Sequence, residues 1–276
     1  MKPSDKMIEL FEGATVVLTG AASGIGRALA TLLYQCGATI HAFDINQNGL
    51  DELVGSLSGK NGKIHPRCVS VSDLAEYSLA VDEVYKISPK VDFLFNNAGV
   101  TLLGEAQNLP FERWKWLLDI NLMGVVNGTH LIYPKMIAEG SGHIINTASI
   151  AGSTGYATAA AYTASKGAVL EFSRSLRAEA CNHGIRISVA CPGYVNSSIF
   201  SQDRIVGADR ESMIKDLPVR MLTPEMAAWG FLDGVVKNKE KIIFPFTAKF
   251  LWTLSCWTPS LLGIFHRRFM RIFQRH

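Results

Sequence analysis

This chain of 276 residues lacks the cysteine patterns that build small scaffolds. Its five cysteines, Cys36, Cys68, Cys181, Cys191 and Cys256, are odd in number and contain no C-x-x-C pair. A disulfide framework and a metal site are not expected, and a reducing compartment is. No uninterrupted apolar run reaches about 18 residues, so no standard transmembrane helix is expected. The first eleven residues carry Asp5 and Glu9 and no apolar stretch, so a cleavable secretory signal is not expected either. A net charge of +3 is too small to argue for a nucleic-acid partner. With 48% hydrophobic and 18% charged residues, the composition is too apolar for a disordered chain.

Acidic residues also run out: none follows Glu240, whereas Lys241, Lys249, Arg267, Arg268, Arg271 and Arg275 do. The first 240 residues hold 21 basic and 24 acidic side chains, a net −3, so the tail supplies the whole basic excess.

What is present is an alternation. Short β-branched runs at Ala14–Thr19, Ala38–Phe43, Lys63–Val71, Val91–Phe95, His143–Ala148, Ile185–Ala190 and Lys241–Phe244 read as seven strands. Helical patterns separate them, including Leu74–Ile87, Phe111–Ala138, Ala160–Cys181 and Pro224–Val236. Continuous apolar strands alternating with helices predict an α/β fold, a single-domain Rossmann-type, doubly wound parallel sheet with helices on both faces. No linker interrupts residues 1–245, and residues 246–276 are expected to form an apolar and basic, amphipathic helical C-terminal extension. Ligands of such sheets bind at the carboxyl ends of the strands, so the informative residues should follow strands.

They do. Thr19-Gly20-Ala21-Ala22-Ser23-Gly24-Ile25-Gly26 joins the first strand to the first helix. Its glycines allow a tight turn and close approach to a pyrophosphate, which the helix N-terminus then attracts. By itself such a loop is also an ordinary strand–helix turn. Asp44 ends the second strand 18 residues past Gly26. It can accept from ribose hydroxyls and repels a 2′-phosphate, and neither Ala22, Ser23 nor Ile45 offers a cation. The pair points to NAD rather than NADP; Asp44 as a cap for a helix over Asn46–Leu57 is the competing reading.

Tyr162 and Lys166 are four apart at a helix start and share a face. A neighbouring ammonium favours a phenolate, which makes tyrosine a usable acid or base at neutral pH. Alone, the pair also describes a surface contact. Ser149, after the fifth strand, can bond a substrate oxygen beside Tyr162, and no motif places a histidine to make it a nucleophile. Asn121 sits inside the long helix, either as a tolerated polar residue or as the holder of a relay water.

Taken together, these residues resemble the short-chain dehydrogenase/reductase family. The resemblance spans about Gly13 to Pro245. It rests on T-G-x-x-x-G-x-G at Thr19–Gly26, N-N-A-G at Asn96–Gly99, Asn121, Ser149, Y-x-x-x-K at Tyr162–Lys166, and Pro192-Gly193. It implies that Tyr162 exchanges a proton with the substrate oxygen. Lys166 lowers its pKa and bonds the nicotinamide ribose, Ser149 orients the carbonyl or alcohol, and Asn121 completes a proton relay. It further implies that Gly20, Ser23, Gly24, Ile25 and Gly26 hold the pyrophosphate region and that Asp44 and Val71 meet the adenosine. Asn97 lines the adenosine end and ties down the sheet, while Pro192, Gly193, Val195 and Ser197 meet the nicotinamide. Two positions depart from the family pattern: Ser70 stands where an acidic residue usually reads the adenine, and Ser197 replaces a threonine. The family also implies a homodimer or homotetramer.

The stretch from Tyr194 to Leu222 is long for a connection and reads as a lid. Ile199, Phe200, Ile205, Val206, Met213 and Ile214, joined by Leu102, Leu103 and Tyr156, would give it a greasy lining. A lipophilic alcohol or ketone (steroid, retinoid or long-chain) is the expected substrate, with a smaller or carrier-bound carbonyl as the alternative. No side chain in this reading demands a charged substrate. A non-catalytic dinucleotide sensor would lack Tyr162, Lys166 or Ser149. In the tail, Leu261, Leu262, Phe265, Phe269, Ile272 and Phe273 fall on one helical face, opposite Arg267, Arg268, Arg271 and Arg275. That face meets either an anionic membrane surface or protein, its own core or a second subunit. The expected location is cytoplasmic, on the cytoplasmic face of a membrane in the first case.

Overall fold

The fold was analysed in a computed structural model. The structure describes all residues except 58, 60, 210, 212–220, 259–262, 264–266, 268–269, 272 and 275–276. The apolar runs form seven parallel strands: β1 (Thr15–Thr19), β2 (Thr39–Asp44), β3 (Lys63–Cys68), β4 (Phe93–Asn96), β5 (Gly142–Thr147), β6 (Ile185–Pro192) and β7 (Lys241–Phe244). Their order across the sheet is β3-β2-β1-β4-β5-β6-β7. The chain thus leaves β1 toward one edge and returns beside it with β4. This reversal opens a crevice at the carboxyl ends of β1 and β4, where doubly wound sheets bind ligands.

The central strands are apolar on both sides because helices cover both faces. β1 is buried at all five positions. On one face α1 (Asp5–Phe11), α2 (Gly24–Gln35) and, later in the chain, the helix Pro224–Val236 enclose a cluster containing Phe11, Leu29, Leu33, Phe95 and Phe231. Phe11 lies 4.8 Å from Phe93, centroid to centroid, so a short N-terminal helix not expected from sequence closes this face. On the other face α4 (Leu74–Ile87) and the long helical stretch over residues 111–139 cover Val17, Leu94 and Ile144. The edge strand β3 is half exposed and tolerates Pro66, whose missing N–H would interrupt a central strand.

Three expected boundaries move. The third strand stops at Cys68 rather than Val71, because Ser70 turns to donate its N–H to the Glu76 carboxylate at 3.2 Å while its carbonyl accepts from Asp73 N–H. The helix after β2, α3, runs Gln47–Ser56, and Asn46, not Asp44, is its cap, accepting from Gly49 N–H at 3.1 Å. The helix expected over Phe111–Ala138 is α5 (Phe111–Leu118) and α6 (Gly124–Glu139), joined by a π-helical turn at Asp119–Met123. Beyond β7 the expected helical extension begins with a helix at Phe246–Trp257, which leaves Phe246, Phe250 and Trp257 exposed. Among the described residues no helix is long and apolar enough to cross a membrane.

Two buried histidines sit between strands and helices. His143 is fully buried, bonds Ser188 Oγ at 2.8 Å, and is pushed down to about 3, first by burial and then by Arg186 and Arg177. His41 bonds Ser88 Oγ at 3.1 Å and is pushed down to about 4 by burial and His65. Both are neutral when folded and pick up a proton near pH 6.5 when unfolded. Stability is therefore complete above that pH and lost as the pH falls toward the folded values. Each histidine should contribute up to about 1.4 kcal/mol per pH unit in that window. Urea unfolding between pH 7 and pH 4.5 should show a shallower loss in His143→Gln than in the parent chain; an unchanged slope would show that His143 is not the group titrating.

Candidate active site

The site begins where β1 and β4 end side by side. Gly20, at φ +69°, follows β1 so closely on Ala98 that a Cβ there would lie 2.8 Å from the Ala98 Cα. Thr19 holds the two strands at this spacing: its Oγ1 accepts the N–H groups of Asn97 and Ala98, both at 3.0 Å. Asn97 Nδ2 donates back to the Thr19 carbonyl at 3.0 Å. Gly24, at φ +51°, leaves room for Ser197, whose Cβ would be 3.1 Å from a side chain at that place, and a Cβ on Gly26 would collide with the Gly20 carbonyl. The loop is thus a cradle of bare backbone at the N-terminus of α2, suited to an anionic pyrophosphate.

Asp44 faces this cradle. One carboxylate oxygen accepts from Ala22 N–H at 2.9 Å and the other from Asn46 N–H at 2.9 Å. The carboxylate is fixed in direction by backbone donors on both sides. Ile45, Ser70, Val71 and Ser72 surround it, and the described residues lining this end include no lysine or arginine.

Ser149, Tyr162 and Lys166 converge from two elements. Ser149 follows β5 and its Oγ accepts from Ala151 N–H at 3.2 Å. Tyr162 and Lys166 lie one turn apart in α8 (Ala160–Ala180), which follows the one-turn α7 (Ala151–Thr154), and the Ser149 side chain lies beside the Tyr162 hydroxyl and favours its ionised form. Lys166 is 2% exposed, donates to the Thr147 carbonyl at 2.8 Å, and stands 6.0 Å from the Tyr162 ring centroid. Burial pulls its ammonium down to about 8. Gly99 makes space for it, since a Cβ there would come within 3.2 Å of both Lys166 Nζ and Asn121 Oδ1.

The protein residues alone do not lower the Tyr162 hydroxyl as the spacing suggests. Burial raises it above the usual phenol value, the neighbouring Ser149 side chain opposes that, and Lys166 exerts no resolved pull. An extra cation against Tyr162 would have to complete the lowering. Cys191, buried nearby on β6, is pushed up to about 12 by burial and is an inert thiol at neutral pH.

Every site residue expected from sequence except Asn121 lines one cavity of about 400 Å³. Asn121 lies behind the wall, fully buried in the π turn. Its Oδ1 accepts from Val100 N–H at 2.8 Å, and its Nδ2 donates to the Val100 carbonyl at 2.9 Å and to Ser165 Oγ at 3.1 Å. The π turn accounts for this placement, and such turns recur at functional sites. Leu102 does not join the cavity: it turns into a core with Leu109, Leu117 and Ala161.

The remaining wall is apolar, from Leu103, Trp116, Ile199 and Phe200, with Tyr156 beside Tyr194. Those two tyrosines pack edge to face, with ring centroids 5.9 Å apart. The lid is fastened at both ends of its described part. Val195 bridges to Leu222, and Leu103 bridges to Ile205 across the loop after β4. Met213 and Ile214 lie outside the described residues. Sequence reasoning missed three features: Arg204 in the cavity wall, the Tyr194 hydroxyl, and a buried amide ladder. In that ladder Asn96 donates to Asn146 at 2.9 Å, which donates to Ser173 at 3.0 Å. The N-N-A-G stretch and the asparagine of Asn146-Thr147-Ala148-Ser149 at the end of β5 carried a signal for the ladder; Arg204 had none.

Residues 14–205 match the family model described as short chain dehydrogenase. The chain is 33% identical over 218 residues to 3-oxoacyl-[acyl-carrier-protein] reductase FabG of Thermotoga maritima, covering 79% of this chain and 88% of that protein. It is 31% identical over 226 residues to cyclohexanol dehydrogenase of an Acinetobacter strain, covering 80% and 87%. A short chain dehydrogenase/reductase from Burkholderia phymatum, solved in complex with NAD, superposes with a TM-score of 0.82 over 92% of this chain and 95% of that one, at 24% identity.

The buried ammonium has a measurable consequence. An unfolded Lys166 keeps its proton to about pH 10.4, whereas the folded one releases it near 8, so this residue costs stability below pH 8 and less as the pH rises. Between pH 7 and pH 10 the parent chain should gain stability relative to Lys166→Met, by about 1–3 kcal/mol. Denaturant unfolding of both at the two pH values measures this; parallel pH dependence would show that the ammonium is not desolvated.

Proposed function

Because the chain belongs to the short-chain dehydrogenase/reductase family of oxidoreductases, we propose that it moves a hydride between NAD(H) and a lipophilic alcohol or ketone. The observation that carries this reading is the Ser149–Tyr162–Lys166 cluster, which sits in one cavity between a glycine cradle and an apolar wall.

The nicotinamide cofactor, when bound, supplies the hydride chemistry. Its fit to this chain rests on the bare cradle of Gly20, Gly24 and Gly26 and on Asp44. Pro192, Gly193, Val195 and Ser197 would hold the nicotinamide end, and Ser70, Val71 and Asn97 the adenosine end. Asp44, fixed by two backbone N–H groups, would accept from ribose hydroxyls and repel a 2′-phosphate.

Tyr162 carries the proton exchanged with the substrate oxygen at its hydroxyl. Ser149 lies beside the same hydroxyl, and its single O–H can donate to the substrate oxygen, which fixes that oxygen beside Tyr162. Lys166 spends one of its three N–H donors on Thr147 and keeps the others for the cofactor ribose. With its pKa near 8, it is also the group best matched to pass a proton at neutral pH. Asn121 acts through support: it holds Val100 and Ser165 under this cluster. The apolar wall of Leu103, Trp116, Ile199 and Phe200 favours a greasy substrate skeleton. Arg204, in the same wall, favours the second reading, a carbonyl substrate on an acidic carrier. The naming of the Thermotoga relative as an acyl-carrier-protein reductase points the same way.

Two outcomes follow. Tyr162→Phe should lower kcat by about 10²–10⁴-fold, the usual worth of general acid–base catalysis, with NADH affinity little changed. The test is steady-state turnover of secondary and long-chain alcohols and of acyl thioesters, beside NADH titration by fluorescence. More than about a tenth of parental kcat in this variant would remove Tyr162 from its role. The parent chain should prefer NAD over NADP in kcat/KM, and Asp44→Ala should narrow the ratio by about tenfold or more, as removal of a charge repulsion near a phosphate would. An NADP preference in the parent chain would show that Asp44 does not read the ribose.

A further inference from the structure

The tail returns to the mouth of the active site. Phe273 is 2% exposed and belongs to a small apolar cluster with Leu103, Ala159, Ile205 and Ala208. Tyr156, Tyr162 and Phe200 pack against this same cluster. Next to it, Gln274 Nε2 donates to Glu105 Oε1 at 3.0 Å. Leu103 and Glu105 follow β4, Ala159 and Tyr156 follow β5, and Phe200, Ile205 and Ala208 follow β6. One aromatic ring from the C-terminal segment therefore sits where three loops from the carboxyl ends of the sheet meet.

Those loops need holding. Thr158 has φ +65°, a left-handed conformation that a β-branched residue adopts at a cost and keeps only where its surroundings enforce it. Its carbonyl accepts from Gly104 N–H at 2.7 Å, and its neighbour Ala159 is in the Phe273 cluster. The strained turn thus lies between Tyr156, in the apolar wall, and Tyr162. Arg113 adds a bond to the Asp203 carbonyl at 2.6 Å, and Leu103 takes Arg204 and Val206 as backbone partners. Everything these contacts hold belongs to the substrate end of the cavity; the cradle around Gly20 and Asp44 is held by Thr19, Asn97 and Ala22 instead.

We propose that the C-terminal segment is a clasp for the substrate site, with Phe273 as a positioning residue that backs the apolar wall formed by Leu103, Tyr156 and Phe200 and so sets which substrates fit. The inference rests on the oxidoreductase reading of the cavity. It also gives the tail a partner within the chain: of the apolar stripe expected from sequence, Phe273 faces its own active site. Leu261, Leu262, Phe265, Phe269 and Ile272, with Arg268 and Arg275, lie outside the described residues.

A clasp predicts a split effect. In Phe273→Ala, KM for a bulky lipophilic alcohol should rise by about tenfold, the scale of losing part of one buried aromatic contact. NADH affinity and kcat should stay within about twofold, because the cradle is held elsewhere and Tyr162, although it touches this cluster, is positioned by α8 beside Lys166. Phe273→Leu, which keeps an apolar volume, should recover most of the loss. Unchanged KM in Phe273→Ala, or a parallel loss of NADH binding and kcat, would overturn the proposal. An activity-independent arm uses Phe273→Cys. Its thiol should react with maleimide at least about tenfold more slowly than the exposed Cys256 of the same chain, as burial controls thiol access. Equal labelling of the two would overturn the clasp whatever the substrate. Slow labelling with no turnover of any alcohol, ketone or thioester by the parent chain would leave the tail docked and overturn the proposed reaction, and with it the substrate role of Phe273.

Discussion

The ammonium of Lys166 is the constraint on which the rest of the site depends. It is almost fully out of water, and its pKa is pulled down to about 8 by that burial. A charge in such a place survives only with polar partners on several sides. The chain supplies one directly, the Thr147 carbonyl at the end of β5, and separate elements shape the space around it: Gly99 after β4 leaves room for the ammonium, and Asn121 in the π turn between α5 and α6 holds Val100 and Ser165 in place. Each has its own local peculiarity. A π turn replaces regular helix, a glycine replaces a side chain, and Asn121 spends its amide on Val100 and Ser165. Regularity is given up at the points where α8 must carry a buried cation beside Tyr162.

The same economy appears at the other end of the cavity. Gly20 and Ala98 are too close for a side chain between them, and Thr19 and Asn97 lock that spacing with three short hydrogen bonds. The cradle is consequently rigid and polar. Between the two lies a Tyr162 hydroxyl that burial raises rather than lowers. The arrangement is poised for a positively charged group: such a group beside Tyr162 and Lys166 would change the energetics of proton transfer at the moment it is needed. At the substrate end the walls are apolar and come from three loops, which need fastening by contacts distant in sequence, Leu103 with Ile205 and Phe273 with both.

Much of this was legible in the sequence because it is local. Apolar runs alternate with 3.6-residue periodicity, so all seven strands and their parallel class could be read. Gly20, Asp44, Ser149, Tyr162 and Lys166 follow strands at recognisable spacing. What could not be read depends on contacts between distant segments. Leu102 and Leu103 look alike in sequence, yet one enters the core and the other the cavity, because the bridge to Ile205 sets the rotation of the strand end. Asn121 looks like part of a regular helix; only its bonds to Val100 and Ser165 explain the π turn. Arg204 sits between polar and apolar lid residues and gives no sign that it reaches the cavity. Phe273 reads as one member of an amphipathic stripe, and periodicity cannot say whether a stripe meets lipid, a subunit or the chain's own active site.

The central claim is that this cavity passes a hydride between a nicotinamide and the carbon of an alcohol held beside Tyr162. The most direct measurement follows that hydrogen. The full chain is incubated with NAD and a lipophilic secondary alcohol deuterated at the carbinol carbon, and the reduced cofactor is examined by mass spectrometry. NADH carrying one deuterium should form with the parent chain and be nearly absent with Tyr162→Phe. Reduced cofactor without deuterium, or the same yield from the variant, would contradict it.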